Sequence, residues 1–268
     1  MDANGESGAM TATEATETPD RGTIPAAYVI NLARTPERLA SFLKQNSDCG
    51  LDFRRFEAAD GAAIDEAEAV RLNLIKRGTT WRTPATIGVA LSHRNLWEAT
   101  IAEDRPRLIF EDDVFVRTDA GDIVGPALAA LGKWDIALLG YNTDALVEFN
   151  IAGDFDLSGL FTVKHPDAAQ LARFARSRHP AQPFRLRHAF GISAYAISPP
   201  GARRLLARCF PMDNRMIEFK AAQNRFRSFS LDCMMNTAYR DIDAYAFVGP
   251  LALPLNDWEA STVDVRRR

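Results

Sequence analysis

The sequence predicts an α/β protein built on a single, mainly parallel sheet, and three observations carry that expectation. Strand-like and helix-like segments alternate from about residue 24 onward, the signature of βαβ units. The segment Arg107–Val116, RLIFEDDVFV, is apolar on both sides of Glu111, Asp112 and Asp113, so a buried strand runs into a cluster of acids. At 268 residues and 47% hydrophobic composition, the chain can bury a sizeable core in one domain, placed at 24–260.

Taken in order, residues 1–23 lack apolar periodicity and are expected to be a disordered tail. Ala27–Leu32 has the aromatic and β-branched content of a buried strand. Thr35-Pro36 then places an N-cap and a first-turn proline before a helix that runs through Phe42 to about Asn46. Phe53–Ala58 is the second strand, and Ile64–Ile75 is helical in pattern. Thr83-Pro84 introduces a helix from Ala85 to about Glu103, with Ser92 and His93 inside it. After the acidic strand, Trp134–Leu139 is the next one. Between 141 and 187 the periodicity weakens to a strand-like run at Leu160–Val163 and a basic helical stretch at Ala168–Arg178. This irregular segment reads as an acceptor-side insertion or lid. Ala189–Ser198 is a strand, Ala202–Cys209 a helix, Ser230 to about Tyr239 a helix and Ala244–Val248 a last strand; residues 261–268 form a basic tail.

Bulk properties exclude several classes. A net charge of -3 gives no global basis for nucleic-acid binding. Cys49, Cys209 and Cys233 are scattered and lack metal-ligand spacing, as expected for reduced thiols. No apolar run reaches the roughly 18 residues that span a bilayer, and no secretory signal is visible, so a cytoplasmic protein is expected. The turn after the first strand has no glycine fingerprint, which disfavours a dinucleotide dehydrogenase or a P-loop NTPase.

The acids carry the chemistry. Alternation along a strand sends Glu111 and Asp113 one way and Asp112 the other, where its role would be to orient or cap backbone. A same-side pair at the carboxyl end of a strand faces the crevice where open α/β sheets hold ligands, and hard oxygen donors suit Mg²⁺ or Mn²⁺. A solvated acidic turn is the other reading of the same residues. Asn31, Arg34 and Arg38 follow the first strand, where a nucleotide would lie, and a guanidinium fork suits a diphosphate. Ser92 and His93 lie beside apolar residues, where a satisfied core histidine is the ordinary outcome. Asp232 opens a helix, where a favourable first-turn charge is the ordinary reading. The arginines of the insertion and the C-terminal tail form a basic face that is either simply solvated or in peripheral contact with an anionic membrane surface.

Five ordered blocks resemble glycosyltransferase family 25, the lipooligosaccharide glycosyltransferase group. They are Tyr28–Leu32 with Arg34, Pro36, Glu37 and Arg38; Phe56–Gly61; Ile87–His93 with Leu96 and Trp97; Leu108–Val114; and Ser193–Ser198 with Gly201, Ala202, Leu205 and Leu206. The chain departs from the pattern at Ala33, where an acid is frequent, and at Cys233, where an aromatic is common. The resemblance implies a GT-A type fold, a Rossmann-like mixed, mainly parallel sheet flanked by helices. It also implies inverting transfer of galactose or glucose from a UDP-sugar to a glycan or glycolipid acceptor such as lipopolysaccharide. On that reading Asp113 and Glu111 hold Mn²⁺ or Mg²⁺, and Asp232 is the base. Asn31, Arg34, Arg38, Ser92, His93, Glu111 and Asp112 would bind the nucleotide-sugar donor. Competing expectations are an inactive relative that serves as a glycan- or nucleotide-binding module, and a metal-dependent phosphohydrolase, for which no nucleophile or second metal cluster is visible.

Overall fold

Period-two alternation splits the apolar residues of each central strand between two cores. In β1 (Ala26–Asn31), Ala27 and Val29 pack on one face and Ile30 on the other. The computed structural model describes residues 23–80, 83–219 and 224–255. The N-terminal tail expected at 1–23 therefore lies, up to residue 22, outside the described residues, as do Asp257 and the basic C-terminal tail.

After β1 the chain forms α1 (Pro36–Gln45), β2 (Phe53–Glu57), a short 3₁₀ turn (Gly61–Ala63), α2 (Glu66–Arg71) and α3 (Pro84–Ala102). The acidic segment divides into β3 (Arg107–Glu111) and β4 (Val114–Val116), followed by α4 (Ala120–Leu131) and β5 (Ile136–Gly140). Next come β6 (Val147–Ala152), β7 (Phe155–Gly159), α5 (Ala168–Ala175), β8 (Gln182–His188), β9 (Ala194–Ile197) and α6 (Pro199–Cys209). The last elements are β10 (Met216–Phe219), β11 (Asn224–Arg227), α7 (Leu231–Asn236), β12 (Ala244–Val248) and β13 (Ala252–Pro254).

Nine strands form one mixed sheet in the order β2-β1-β3-β9-β5-β12-β8-β6-β7. Following the ladders across the sheet, β1, β2, β3, β5, β6 and β12 point one way and β7, β8 and β9 the other, so parallel direction predominates as expected. Because β9 is inserted between β3 and β5, the parallel ladders are confined to β2-β1-β3 and β5-β12. One core lies between the sheet and α3, α6 and α7, through Ile87, Trp97, Leu205, Leu231 and Met234. The other lies beneath α1 and α4, through Phe42, Val124 and Leu128.

Three expectations change. The region 141–187 carries a β-hairpin, a helix and a long strand that extend the sheet; the hairpin is β6–β7, and no strand forms at Leu160–Val163. The strand expected over Ala189–Ser198 is confined to β9, because Gly191 turns back at φ 83°, where a β-carbon would meet Asn142 Oδ1 at 2.3 Å. The acidic segment is not one strand: β4 leaves the main sheet to pair with β13.

Candidate active site at the carboxyl edge

The carboxyl ends of β1, β2 and β3 open onto a cavity of about 290 Å³, bounded by α1, the loop after β2 and the flank of α3. That flank approaches the loop closely enough to require glycine on both sides. A β-carbon on Gly88 would lie 2.5 Å from Ala59 O, and one on Gly61 would lie 1.9 Å from Pro84 O. Ser92 fixes the same contact, accepting from Ala59 N (2.9 Å) while donating to Gly88 O (2.7 Å). Its hydroxyl lines the cavity but is spent on backbone.

Glu111, Asp112 and Asp113 all line this cavity, which corrects the expectation that Asp112 points away. Alternation holds only while the strand continues, and β3 stops at Glu111. The turn at Asp112–Asp113 then brings Asp112 back onto the β1–α1 side. Asn31 Nδ2 donates to Asp112 Oδ2 (2.7 Å), and Arg38 Nε donates to Asp112 Oδ1 (2.9 Å). Arg38 also sits 4.0 Å from Asp113 Oδ2. Asn31 itself is buried; its amide also donates to Thr35 O, and it accepts from Arg55 Nε (3.2 Å), so it acts from beneath the cavity wall. Arg34 lines the mouth in a forked pair with Asp60 (2.8 and 3.2 Å), which holds the Asp60 carboxyl below its ordinary range.

Asp113 is the least compensated of the three acids. Its Oδ1 is buried without a hydrogen-bond partner, although the side chain as a whole keeps 27% of its surface. Burial, reinforced by the charge of Glu111 and opposed by Arg38, pushes its carboxyl up to about 7. A nearby cation would satisfy the orphaned oxygen and favour the ionised form, so the donor set fits a divalent metal. Among the described residues no three His, Cys, Asp or Glu side chains converge into a complete cage. Mg²⁺-type ions at nucleotide sites commonly take one or two carboxylates plus substrate phosphates, so the fit is to an ion that arrives with a diphosphate.

His93 faces this corner from α3. Its Nδ1 lies 2.7 Å from Tyr195 Oη, and Trp97 Nε1 donates to the same oxygen at 2.8 Å. An indole only donates, so Tyr195 accepts from Trp97 and directs its own hydrogen to His93 Nδ1. With Nδ1 so occupied, Nε2 is the ring nitrogen left over; it is buried without a hydrogen-bond partner, 3.6 Å from Glu111 Oε1. The site therefore sets a ring nitrogen beside a carboxylate, a pair that can hold a hydroxyl group between them.

Asp232 lies on the same sheet edge but does not line the cavity. Its Oδ2 accepts from Gly191 N (3.0 Å), and its Oδ1 accepts from Cys233 N (2.8 Å) and from the Ser230 hydroxyl. One turn later Asn236 grips Ala189 through both its backbone groups (3.0 and 2.6 Å). Together these side chains of α7 clamp the loop that leads into β9, and Ser193 O of that loop accepts from Glu111 N (2.8 Å). The acidic corner and Asp232 are thus tied together through one loop.

The family model described as Glycosyltransferase family 25 (LPS biosynthesis protein) matches residues 24–216, a span that includes the whole acidic corner. The chain belongs to glycosyltransferase family 25. A mosquito relative, the Glycosyltransferase 25 family member of Anopheles gambiae, is 29% identical over 136 residues, 45% of this chain and 22% of that protein. The protein of the same description from Aedes aegypti is 28% identical over 125 residues, 42% of this chain and 20% of that protein. The matched part thus spans about a fifth of the length of these relatives.

Several residues of this family 25 site escape a reading of the sequence. Trp97 and Tyr195 fall within blocks that resemble the family, yet the sequence assigns neither a role beyond an apolar helix face and a strand aromatic. Their meeting at His93 depends on Ile109 facing Tyr195 across the β3–β9 ladder. Asp60 lies in the block Phe56–Gly61 but shows there no sign of its pairing with Arg34, and Asn236 carries no motif signal, since a mid-helix asparagine is common.

Proposed function

We propose that this family 25 protein is an inverting glycosyltransferase that moves galactose or glucose from a UDP-sugar to a cell-surface glycan acceptor such as lipopolysaccharide. The observation that carries the reading is the under-compensated acidic corner, with Asp113 Oδ1 orphaned beside Glu111 and Arg38 at the end of β3. Asp113 and Glu111 would hold Mn²⁺ or Mg²⁺ together with the donor diphosphate. A bound ion of that kind supplies Lewis-acid stabilisation of the charge that develops on the leaving group.

The remaining steps fall to side chains. Arg38 orients the Asp112–Asp113 turn and adds positive charge next to the diphosphate. His93 Nε2 and the Glu111 carboxylate hold a donor hydroxyl between them, and Arg34 closes the mouth of the cavity. Inversion is a single displacement, so the acceptor hydroxyl must lose its proton on the face opposite the diphosphate. Asp232 takes that role in this reading, on the far side of the Gly191 loop. Contact of the basic face with an anionic membrane surface belongs to the same proposal.

Turnover of UDP-galactose and UDP-glucose, measured with Mn²⁺ and with a chelator, tests it directly. Asp113→Ala should remove metal-dependent turnover while the fold persists; a variant with normal metal-dependent turnover refutes the metal assignment. Asp232→Asn should retain UDP binding and lose transfer by about 10²-fold or more, the usual scale for a general base. Unchanged transfer would remove Asp232 from the mechanism.

A further inference from the structure

The outer edge of the sheet is built unlike the rest of the surface. β7 is the last strand beyond β6, and all five of its residues are exposed. Phe155 keeps 73% of its surface and Leu157 55%, with Ile151 at 50% on the neighbouring strand. Soluble proteins guard such edges with lysine, proline, a bulge or an unpaired inward charge, because free N–H and C=O groups template pairing with another chain. The sequence of β7, Phe-Asp-Leu-Ser-Gly, has no lysine or proline, and the register shift of the β6–β7 ladder, between Asn150 and Ala152, falls on β6 and leaves β7 itself continuous. Its one charge is tied to its own sheet: Asp156 accepts from Asn150 Nδ2 (2.9 Å), Arg187 Nε (3.0 Å) and Arg240 (3.3 Å), bonds that hold the carboxylate in place without removing its charge. Phe155 and Leu157 lie opposite Ala152 and Phe149 of β6, on the other face.

We propose that β7 is a homodimerisation edge, pairing antiparallel with β7 of a second copy so that two nine-stranded sheets become one. The strand is self-complementary in one register. Directly opposed residues share a face of the sheet, so the apolar faces of two copies align only when the paired residue numbers sum to an even value. A two-fold axis through Leu157 sets Leu157 against Leu157, Phe155 against Gly159 and Asp156 against Ser158. No like charges then meet, and each phenyl ring covers a glycine. A two-fold axis through Asp156 would oppose the two aspartates and is disfavoured. This pairing chooses a second copy of the chain over a heterologous strand, because the strand supplies its own matching partner. The edge lies at the opposite end of the sheet order from β2 and β1, so dimerisation leaves the cavity open.

Sedimentation velocity of the full chain over a concentration series tests the proposal. The wild type should show a monomer–dimer equilibrium with a dissociation constant on the order of micromolar, as expected for a small interface. Leu157→Lys, at an exposed position, should weaken the dimer at least tenfold while the circular dichroism spectrum and melting temperature stay unchanged. The register makes a sharper demand: Ser158→Lys should tighten the dimer several-fold and Ser158→Asp loosen it, because position 158 faces Asp156 of the second copy. A wild type that remains monomeric at all concentrations, or a dimer indifferent to both positions, overturns the proposal. Monomers that sediment with phosphatidylglycerol vesicles through Leu157 would also overturn it, by making a lipid surface the occupant.

Discussion

His188 shows how a single buried side chain sets a pH limit on the fold. Its ring stacks on Phe219 with centroids 3.8 Å apart, and its Nε2 has no hydrogen-bond partner. Burial, with help from the positive charge of Arg240, lowers its pKa from 6.5 to about 4. The unfolded chain therefore takes up a proton near pH 6.5 while the folded chain resists until about 4, so stability is full above that window and is lost as pH falls through it. Urea denaturation should show the wild type losing about 2 kcal/mol between pH 7 and pH 5 at this site. His188→Phe, which preserves the ring contact, should remove that part of the slope. The same physics explains why the residues around the candidate site were only partly legible. A histidine, a tyrosine and a tryptophan in apolar runs look like core, and only their burial together shows that His93 is held with its Nε2 beside Glu111.

At the scale of elements, the seam between α3 and the loop after β2 sets the depth of the cavity. Gly88→Ala inserts a methyl group 2.5 Å from Ala59 O and 2.6 Å from Gly61 N, both backbone atoms that cannot step aside. Overpacking of this kind costs about 1–3 kcal/mol. The variant should melt lower and bind UDP more weakly, because Ala59, Ser92 and His93 line the cavity on either side of the seam. Calorimetry that found unchanged melting and affinity would show that the seam yields. Elements with strong internal patterns were legible in the sequence: β1, α1, α3, β5 and β12 fall where periodicity and caps put them. The helix α4 carries Gly121, Gly125 and Pro126, which depress helical propensity and hide it. Gly121 is there because its α-carbon packs against Gly50; a β-carbon would lie 2.4 Å from Gly50 O, a contact invisible in the local sequence. The three-residue pairing of β4 with β13 and the antiparallel pair β10–β11 likewise rest on partners far away or on short runs.

For the molecule as a whole, the proposed function would make ligand and metal binding interdependent, because the ion would arrive with the donor diphosphate. UDP with Mn²⁺ present at about a hundred times its dissociation constant should stabilise the fold by about 2.7 kcal/mol, since only the folded state offers the site. For a chain of this size that raises the melting temperature by roughly 5–10 °C. Mn²⁺ alone should raise it far less, because the described residues supply carboxylates at one corner and no complete cage. A full shift from Mn²⁺ alone would mean that the protein holds the ion by itself. No described helix is long and apolar enough to cross a membrane.

The sequence by itself determined the class of fold, the order of its principal strands and helices, and the stretch on which the site is built. Periodicity and capping are local, and an acidic run at a strand end keeps its meaning without neighbours. Tertiary structure alone decided that β9 runs backward between β3 and β5, that Asp112 turns inward to Asn31 and Arg38, and that Tyr195 governs His93. Each of those depends on contacts between residues some 50 to 100 positions apart, and a chain read one segment at a time has no access to which distant surface will bury which group.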